Sequence, residues 1–380
     1  MMSEFQPFVM ERAMSKYEKT VEYNLSESGV HPVTLAELLD NDPDRINHLL
    51  TTELNYAHAN GTPKLRENIA ALYNGAGADN VLVTVGAIEA NYITIQTLLS
   101  PGDEIVVMLP NYMQIWGAAR NQGLNVKTFR LMEEKGWAPD LNELDEAVTA
   151  RTKLVAICNP DNPTGRILTE AEMDAIIAAA DRVGAWILAD EVYCGAERLT
   201  DEESPSFYGR YDKVVATGSL SKAYGLPGLR VGWVAGPPGI LDDIWARHEY
   251  ITLSATMLSN QLAAIALSPE VRPRLIRRTR AYIRKGYPVL EEWMNRHENT
   301  LSIIPPHAAA IAFIRYHLDI NSTAFTDRLR EEKSVLIVPG DHFGLDHFVR
   351  VSYGLPHEIL VPALDRIHAL ITELTDQAAP

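Results

Sequence analysis

Cysteine is scarce. Only Cys158 and Cys194 occur in 380 residues, with no metal-ligand spacing around them. That excludes a disulfide framework and a cysteine-based metal site, and it leaves two structural thiols suited to a reducing compartment. Basic residues are also short: 34 Lys and Arg stand against 50 Asp and Glu, a net charge of −16. Such a balance argues against general nucleic-acid binding and against docking on anionic membranes. It leaves room for a small anion held by a few local cations. No apolar run approaches the roughly 20 residues of a membrane span. The opening MMSEFQPFVMERAMSKYEKT lacks an apolar signal core, so the expectation is a cytoplasmic protein without a targeting peptide. There is no internal repeat and no low-complexity segment.

Ordinary globular composition remains, 46% hydrophobic and 22% charged, with length enough for two domains. Short, β-branched apolar runs alternate with helical patterns: NVLVTV (80–85), EIVVML (104–109), KLVAIC (153–158), AWILAD (185–190), KVVATG (213–218) and VGWVAG (231–236). Near-continuous hydrophobicity suits strands buried on both faces. LTEAEMDAIIAAADRVG (168–184) reads as one crossover helix, capped at Thr169 and ended by Gly184. The alternation predicts an α/β open sheet, large, mixed and mostly parallel. After about residue 240 the pattern changes. A long helix over 273–297, a strand IAFIRY (311–316), a helix, a strand SVLIVPG (334–340) and a closing helix predict a small α+β domain. The expected division is 46–274 for the large domain, with 1–45 and 275–380 forming the small one.

Ligands of open α/β sheets bind where strands end at their carboxyl side. Four predicted strands end in polar, turn-prone residues: Gly86-Ala87-Ile88-Glu89, NPDNPTG (159–165), Asp190-Glu191-Val192-Tyr193, and Ser219-Leu220-Ser221-Lys222. Each alone is an ordinary turn or cap. Together they are hard to explain as packing. A helix opening after Gly86 offers backbone N–H groups to a phosphate. Ser219, Ser221 and the fork of Arg230 add hydroxyls and a cation. Lys222 has the amine for a Schiff base. Asp190 can hold a ring nitrogen protonated, Tyr193 and Asn162 can donate to a phenolic oxygen, and Tyr112 can stack on a ring face. Phosphate, aldehyde, basic ring nitrogen and phenolate together describe pyridoxal 5′-phosphate.

At this point the sequence resembles the fold-type I, class I/II aminotransferases over nearly its whole length. NPDNPTG, DEVY (190–193) and SLSKAYGLPGLRVGW (219–233) carry the resemblance in order and spacing. It implies Lys222 as the residue joined to the cofactor as an aldimine, Asp190 at the pyridine nitrogen, and Asn162 and Tyr193 at the ring hydroxyl. It places Tyr112 on the ring. The amides of Ala87 and Ile88 would meet the phosphate, with Ser219, Ser221 and Arg230. Tyr56, in NYAHANGTPKLRENIA (55–70), matches a tyrosine that reaches the phosphate of a neighbouring subunit, which implies a homodimer. Arg350, in HFVRVSYG (347–354), matches the arginine that takes the substrate α-carboxylate. Ile88 departs from the family, which often has Ser or Thr there, and so can give an amide but no hydroxyl. The expected reaction is transamination of an L-amino acid.

A second resemblance bears on the reaction. ESGVHPVTLAELL (27–39) and RHEYITLS (247–254) are similar to the capreomycidine synthase subgroup, which cyclises a hydroxylated arginine on this scaffold. It implies that Gly29 and His31 lie over the substrate side chain. Related enzymes oxidise guanidino amino acids. Cyclisation, elimination or oxidation therefore stand beside transamination as expectations. Glu11 and Glu27 are candidate partners for a guanidinium.

Overall fold

The protein is described here as a computed structural model covering residues 5–378. In chain order its strands are β1 (Tyr23–Asn24), β2 (Val81–Thr84), β3 (Glu104–Leu109), β4 (Asn125–Met132), β5 (Ala138–Pro139), β6 (Thr152–Cys158) and β7 (Trp186–Asp190). They continue with β8 (Val214–Ser219), β9 (Gly232–Ala235), β10 (Leu301–Ile303), β11 (Ile311–Tyr316), β12 (Val335–Leu336), β13 (Val338–Pro339) and β14 (Phe348–Ser352).

Eight of them form one sheet in the order β2-β9-β8-β7-β6-β3-β4-β5. The pairs β3–β4, β3–β6, β6–β7 and β7–β8 are parallel. β9 is antiparallel to both β8 and β2, so β2 again runs with β8. The carboxyl ends of β2, β6, β7 and β8 consequently share one edge, which places their four polar turns together. β2, β7, β8 and β9 are almost wholly buried, as their apolar runs require. β4 has no counterpart among the runs read from sequence. Its pattern NVKTFRLM alternates polar and apolar residues and most of it is accessible, as expected near a sheet edge.

The helices between strands follow local signals. Thr169 caps the helix Glu170–Asp181 through a reciprocal box with Glu172, a device worth about 1 kcal/mol. Gly184, at φ +67°, lies just beyond it. The smaller sheet, β10-β11-β14-β13, is antiparallel. The long helix Arg272–Asn295 and the closing helix His357–Ala378 are amphipathic and pack against each other. SVLIVPG is two short strands rather than the one expected. Val335–Leu336 pairs with β1, whereas Val338–Pro339 pairs with β14, so the chain changes partner at Ile337. That switch ties the N-terminal segment to the small sheet, reinforced by Ser352 N–H donating to the Leu25 carbonyl at 2.9 Å. No helix among the described residues is long and apolar enough to cross a membrane.

Candidate active site

A cavity of about 540 Å³ opens where the four turns converge. Its wall includes Ala87, Ile88, Tyr112, Asn162, Asp190, Tyr193, Ser219, Ser221, Lys222, Arg230 and Arg350, all expected from sequence. Among the described residues no cluster of potential metal ligands is present.

The anion end is built on glycine. Gly86, at φ +80°, precedes the helix Ala87–Leu98, whose first amides are free of intrahelical partners. A Cβ on Gly86 would lie 2.6 Å from Arg230 Nη2, so only glycine lets the guanidinium close over this turn. Arg230 itself sits at φ +50° and donates from Nη1 to the Pro227 carbonyl at 3.0 Å and Ser221 Oγ at 3.3 Å. Ser221 Oγ in turn accepts from Ser219 Oγ at 2.9 Å.

The opposite wall is a buried acid. Asp190, at the end of β7, accepts from Asn91 Nδ2 at 2.8 Å and from the Val192 amide at 3.3 Å. Asn91 is aimed by Thr217 Oγ1, 2.8 Å from its Oδ1. Burial pushes the Asp190 carboxyl up, while Asn91 and Lys222 oppose that rise. Burial likewise pushes the Tyr193 phenol up, against the pull of Arg350. For Lys222, burial lowers the ammonium first; Glu27 and Glu11 raise it, and Arg350 and Arg230 add to the fall. Sequence reasoning did not single out Asn91. Its signal was a buried amide in the mixed helix AIEANYITIQTL, one turn beyond Ile88, beside the equally buried Glu89 and Thr94.

Arg350 lies on β14 and is 1% exposed. Nη1 donates to Asn162 Oδ1 at 3.0 Å and Nη2 donates to the Ser26 carbonyl. Its buried Nε has no hydrogen-bond partner among the described residues. This bond fixes the Asn162 amide so that its Nδ2 remains to donate.

The N-terminal helix Val9–Tyr17 closes the mouth. Glu11, Met14, Ser15 and Glu18 line the cavity at helical spacing, joined by Glu27 and Ser28. Tyr112 packs on Phe8, with ring centroids 4.9 Å apart, and donates its hydroxyl to Glu11 Oε1 at 2.6 Å. Glu18 and Ser28 were not anticipated; Glu18 was readable as the residue two turns after Glu11.

Two expected residues, His31 and Gly29, lie outside the cavity wall, and Tyr56, expected at a neighbouring subunit's site, lies outside its own chain's wall. His31 is not in the cavity wall: its ring lies 6.1 Å from that of Tyr282, and its carbonyl accepts from Arg278 at 2.8 Å. Gly29 is also outside the wall. It backs Lys222, where a Cβ would come within 3.1 Å of the Ser221 carbonyl. Gly29 thus packs against the Lys222 backbone, while Glu27, Ser28 and the N-terminal helix line the cavity. Tyr56 is 80% exposed and outside its own chain's cavity.

Comparison with known proteins decides the family. The profile of "Aminotransferase class I and II" matches residues 23–367. The chain belongs to that family. A capreomycidine synthase of Streptomyces vinaceus is 32% identical over 92% of this chain and 89% of its own. A PLP-dependent aminotransferase from Streptococcus suis 89-1591 superposes with TM-score 0.92 at 30% identity, covering 98% of this chain and 99% of that one. The PLP-dependent cyclase OrfR superposes with TM-score 0.88 at 28% identity, covering 98% of each chain. The fold is that of the fold-type I pyridoxal phosphate enzymes, and the cofactor is pyridoxal 5′-phosphate. The residues present fit it: a glycine cradle under Arg230 at the anion end, a buried Asp190 opposite, and Lys222 between them.

Proposed function

We propose that this aminotransferase family member acts on an L-amino acid with a cationic side chain, and that its principal reaction is transamination. The observation that carries the substrate class is that three carboxylates, Glu11, Glu18 and Glu27, line the same cavity as the buried Arg350, with Lys19 3.6 Å from Glu18. A buried cation and carboxylates in one cavity match an amino acid bearing an α-carboxylate at one end and a guanidinium or ammonium at the other.

Pyridoxal phosphate, when bound, supplies an aldehyde that joins an amino group and a ring that takes up electrons released at Cα. The chain's own residues do the rest. The amides of Ala87 and Ile88, with Ser219, Ser221 and Arg230, hold the phosphate. Asp190, set by Asn91, holds the proton on the ring nitrogen. Tyr193 and Asn162 donate to the ring hydroxyl, and Tyr112 covers the ring. Arg350 orients the substrate carboxylate through its free Nε and one edge of its fork. Lys222 anchors the cofactor and then, as a free amine made less basic by burial, moves the proton at Cα. Glu11, bridging Tyr112 and the mouth, couples side-chain recognition to the ring position.

Cyclisation is the second reading, favoured by the likeness to capreomycidine synthase and to OrfR. The same Lys222 base and the same acidic mouth serve it, with loss of a side-chain hydroxyl replacing transfer of the amine. The distinguishing experiment gives holoenzyme arginine, lysine or a hydroxyarginine without a keto acid. A transaminase bleaches its cofactor absorbance stoichiometrically and releases a keto acid. A cyclase keeps the absorbance, turns over, and yields a product lighter by one water. Consumption of dissolved oxygen would point to oxidation instead.

We further infer a cytoplasmic homodimer. The patch of Leu50, Leu54, Tyr56 and Tyr250, each at least 79% exposed, supports a second copy there. In that assembly Tyr56 reaches the partner's phosphate site. We divide each chain into a large domain, 46–274, and a small one, 1–45 with 275–380; the pairing of β1 with β12 supports that partition.

A further inference from the structure

Behind the phosphate turn lies a buried ion pair that the reaction above does not use. Glu89 is the third residue of the helix Ala87–Leu98 and is 7% exposed; His248, the last residue of the helix Pro238–His248, is fully buried. His248 Nδ1 lies 3.0 Å from Glu89 Oε1, and its Nε2 lies 3.1 Å from the Ala59 carbonyl oxygen. Thr252 Oγ1 donates to Glu89 Oε1 at 2.6 Å, and the Val85 amide donates to Glu89 Oε2 at 2.6 Å.

Hydrogen-bond chemistry sets the protonation state. A backbone carbonyl only accepts. Glu89 takes the Val85 amide on Oε2 and the Thr252 hydroxyl on Oε1, and as a carboxylate it also only accepts. Nδ1 also lies 3.3 Å from Thr252 Oγ1, but that hydroxyl spends its proton on Glu89 Oε1 at 2.6 Å, so both imidazole nitrogens face acceptors and both carry a proton. Position agrees, since the carboxyl end of a helix favours a cation. The neighbouring charged residues Arg247 and Glu249 are exposed, and Arg247 donates to the Gln96 and Asp243 carbonyls, each at 3.0 Å.

The consequence is electrostatic. An unpaired carboxylate in the first turn of this helix would repel a dianion at the same helix end. We propose that His248 is a positioning residue held as an imidazolium, whose charge cancels that of Glu89 and so keeps the Gly86–Ile88 turn an anion site for the cofactor phosphate. Through Ala59 and Thr252 the same ring also fixes the 55–61 segment, which carries Tyr56, and the 249–256 loop against the phosphate turn. This role rests on the proposed assignment of Ala87 and Ile88 to the phosphate.

Two measurements test it. Neutron diffraction from deuterium-exchanged holoenzyme at neutral pD should show deuterium on both Nδ1 and Nε2 of His248; a single deuterium overturns the proposal and needs no variant. Titration of cofactor-free full-length protein compares pyridoxal phosphate with pyridoxal, which lacks the phosphate. His248→Gln should weaken pyridoxal phosphate about tenfold and leave pyridoxal unchanged. Glu89→Gln/His248→Gln, which removes both charges, should restore most of that loss. Equal weakening of both ligands, or a double variant no better than the single one, would mean His248 only packs. Wild-type protein that does not prefer pyridoxal phosphate over pyridoxal would remove the phosphate assignment itself, and this role with it.

Discussion

Tyr112 donates its hydroxyl to Glu11 across 2.6 Å, joining the turn after β3 to the N-terminal helix that closes the cavity. The partners are 101 residues apart in the chain. One acid thus ties the Tyr112 wall of the cavity to the N-terminal helix that lines it.

Because three carboxylates line that cavity, charge removal there should act on substrate choice. Glu11→Gln and Glu18→Gln are each expected to raise KM for arginine about tenfold while leaving KM for alanine or leucine within about twofold. Steady-state kinetics at low and high salt check this. Equal effects on cationic and neutral substrates would dismiss the acidic mouth as the selector.

Lys222 is the proposed anchor and base. Borohydride reduction followed by peptide mapping should place the cofactor adduct on Lys222. Lys222→Ala should keep the cofactor noncovalently and lose turnover by about 10³-fold or more. An adduct on another lysine would refute the assignment.

Arg350 should govern the α-carboxylate. A lysine cannot reproduce a guanidinium fork, so Arg350→Lys is expected to weaken amino-acid binding about 10- to 100-fold with cofactor absorbance intact. Normal binding by this variant would put the carboxylate elsewhere.

Glu191 provides a pH test. It is 4% exposed, and burial raises its carboxyl to about 7, against bonds from Ser206 Oγ and the Phe207 amide. A raised acid binds its proton more tightly folded than unfolded. Its contribution is therefore complete below its unfolded value of about 4.5 and is lost as pH rises toward 7. Glu191→Gln should remove this loss, making the variant more stable than wild type at pH 8 by about 2–3 kcal/mol and not at pH 4.5. Urea unfolding of holoenzyme at the two pH values measures it; an unchanged difference contradicts the buried-acid account.

The dimer is tested by light scattering. Wild-type protein at micromolar concentration should be twice the chain mass, and Leu54→Asp, which puts a charge in the exposed apolar patch, should shift it toward monomer. A fully active wild-type monomer would rule out the role given to Tyr56.

Much was determined by sequence alone. Apolar runs buried on both faces disclosed most of the parallel sheet, and strand ends rich in glycine, asparagine, aspartate and serine disclosed the wall around Lys222, because both signals are local in the chain. Where the signal is an edge strand with charges, as in β4, or a change of partner within five residues, as in SVLIVPG, local pattern does not distinguish the outcome. Tertiary structure alone decided what reaches the cavity from afar. Asn91 sets Asp190 across 99 positions, and Arg350 orients Asn162 across 188. The packing of residues 27–31 set the His31 ring beside Tyr282 and put Gly29 against Lys222. Burial, which raises Asp190 and lowers Lys222, is a property of the folded chain: no residue carries it until the large sheet, the N-terminal helix and β14 have packed around one site.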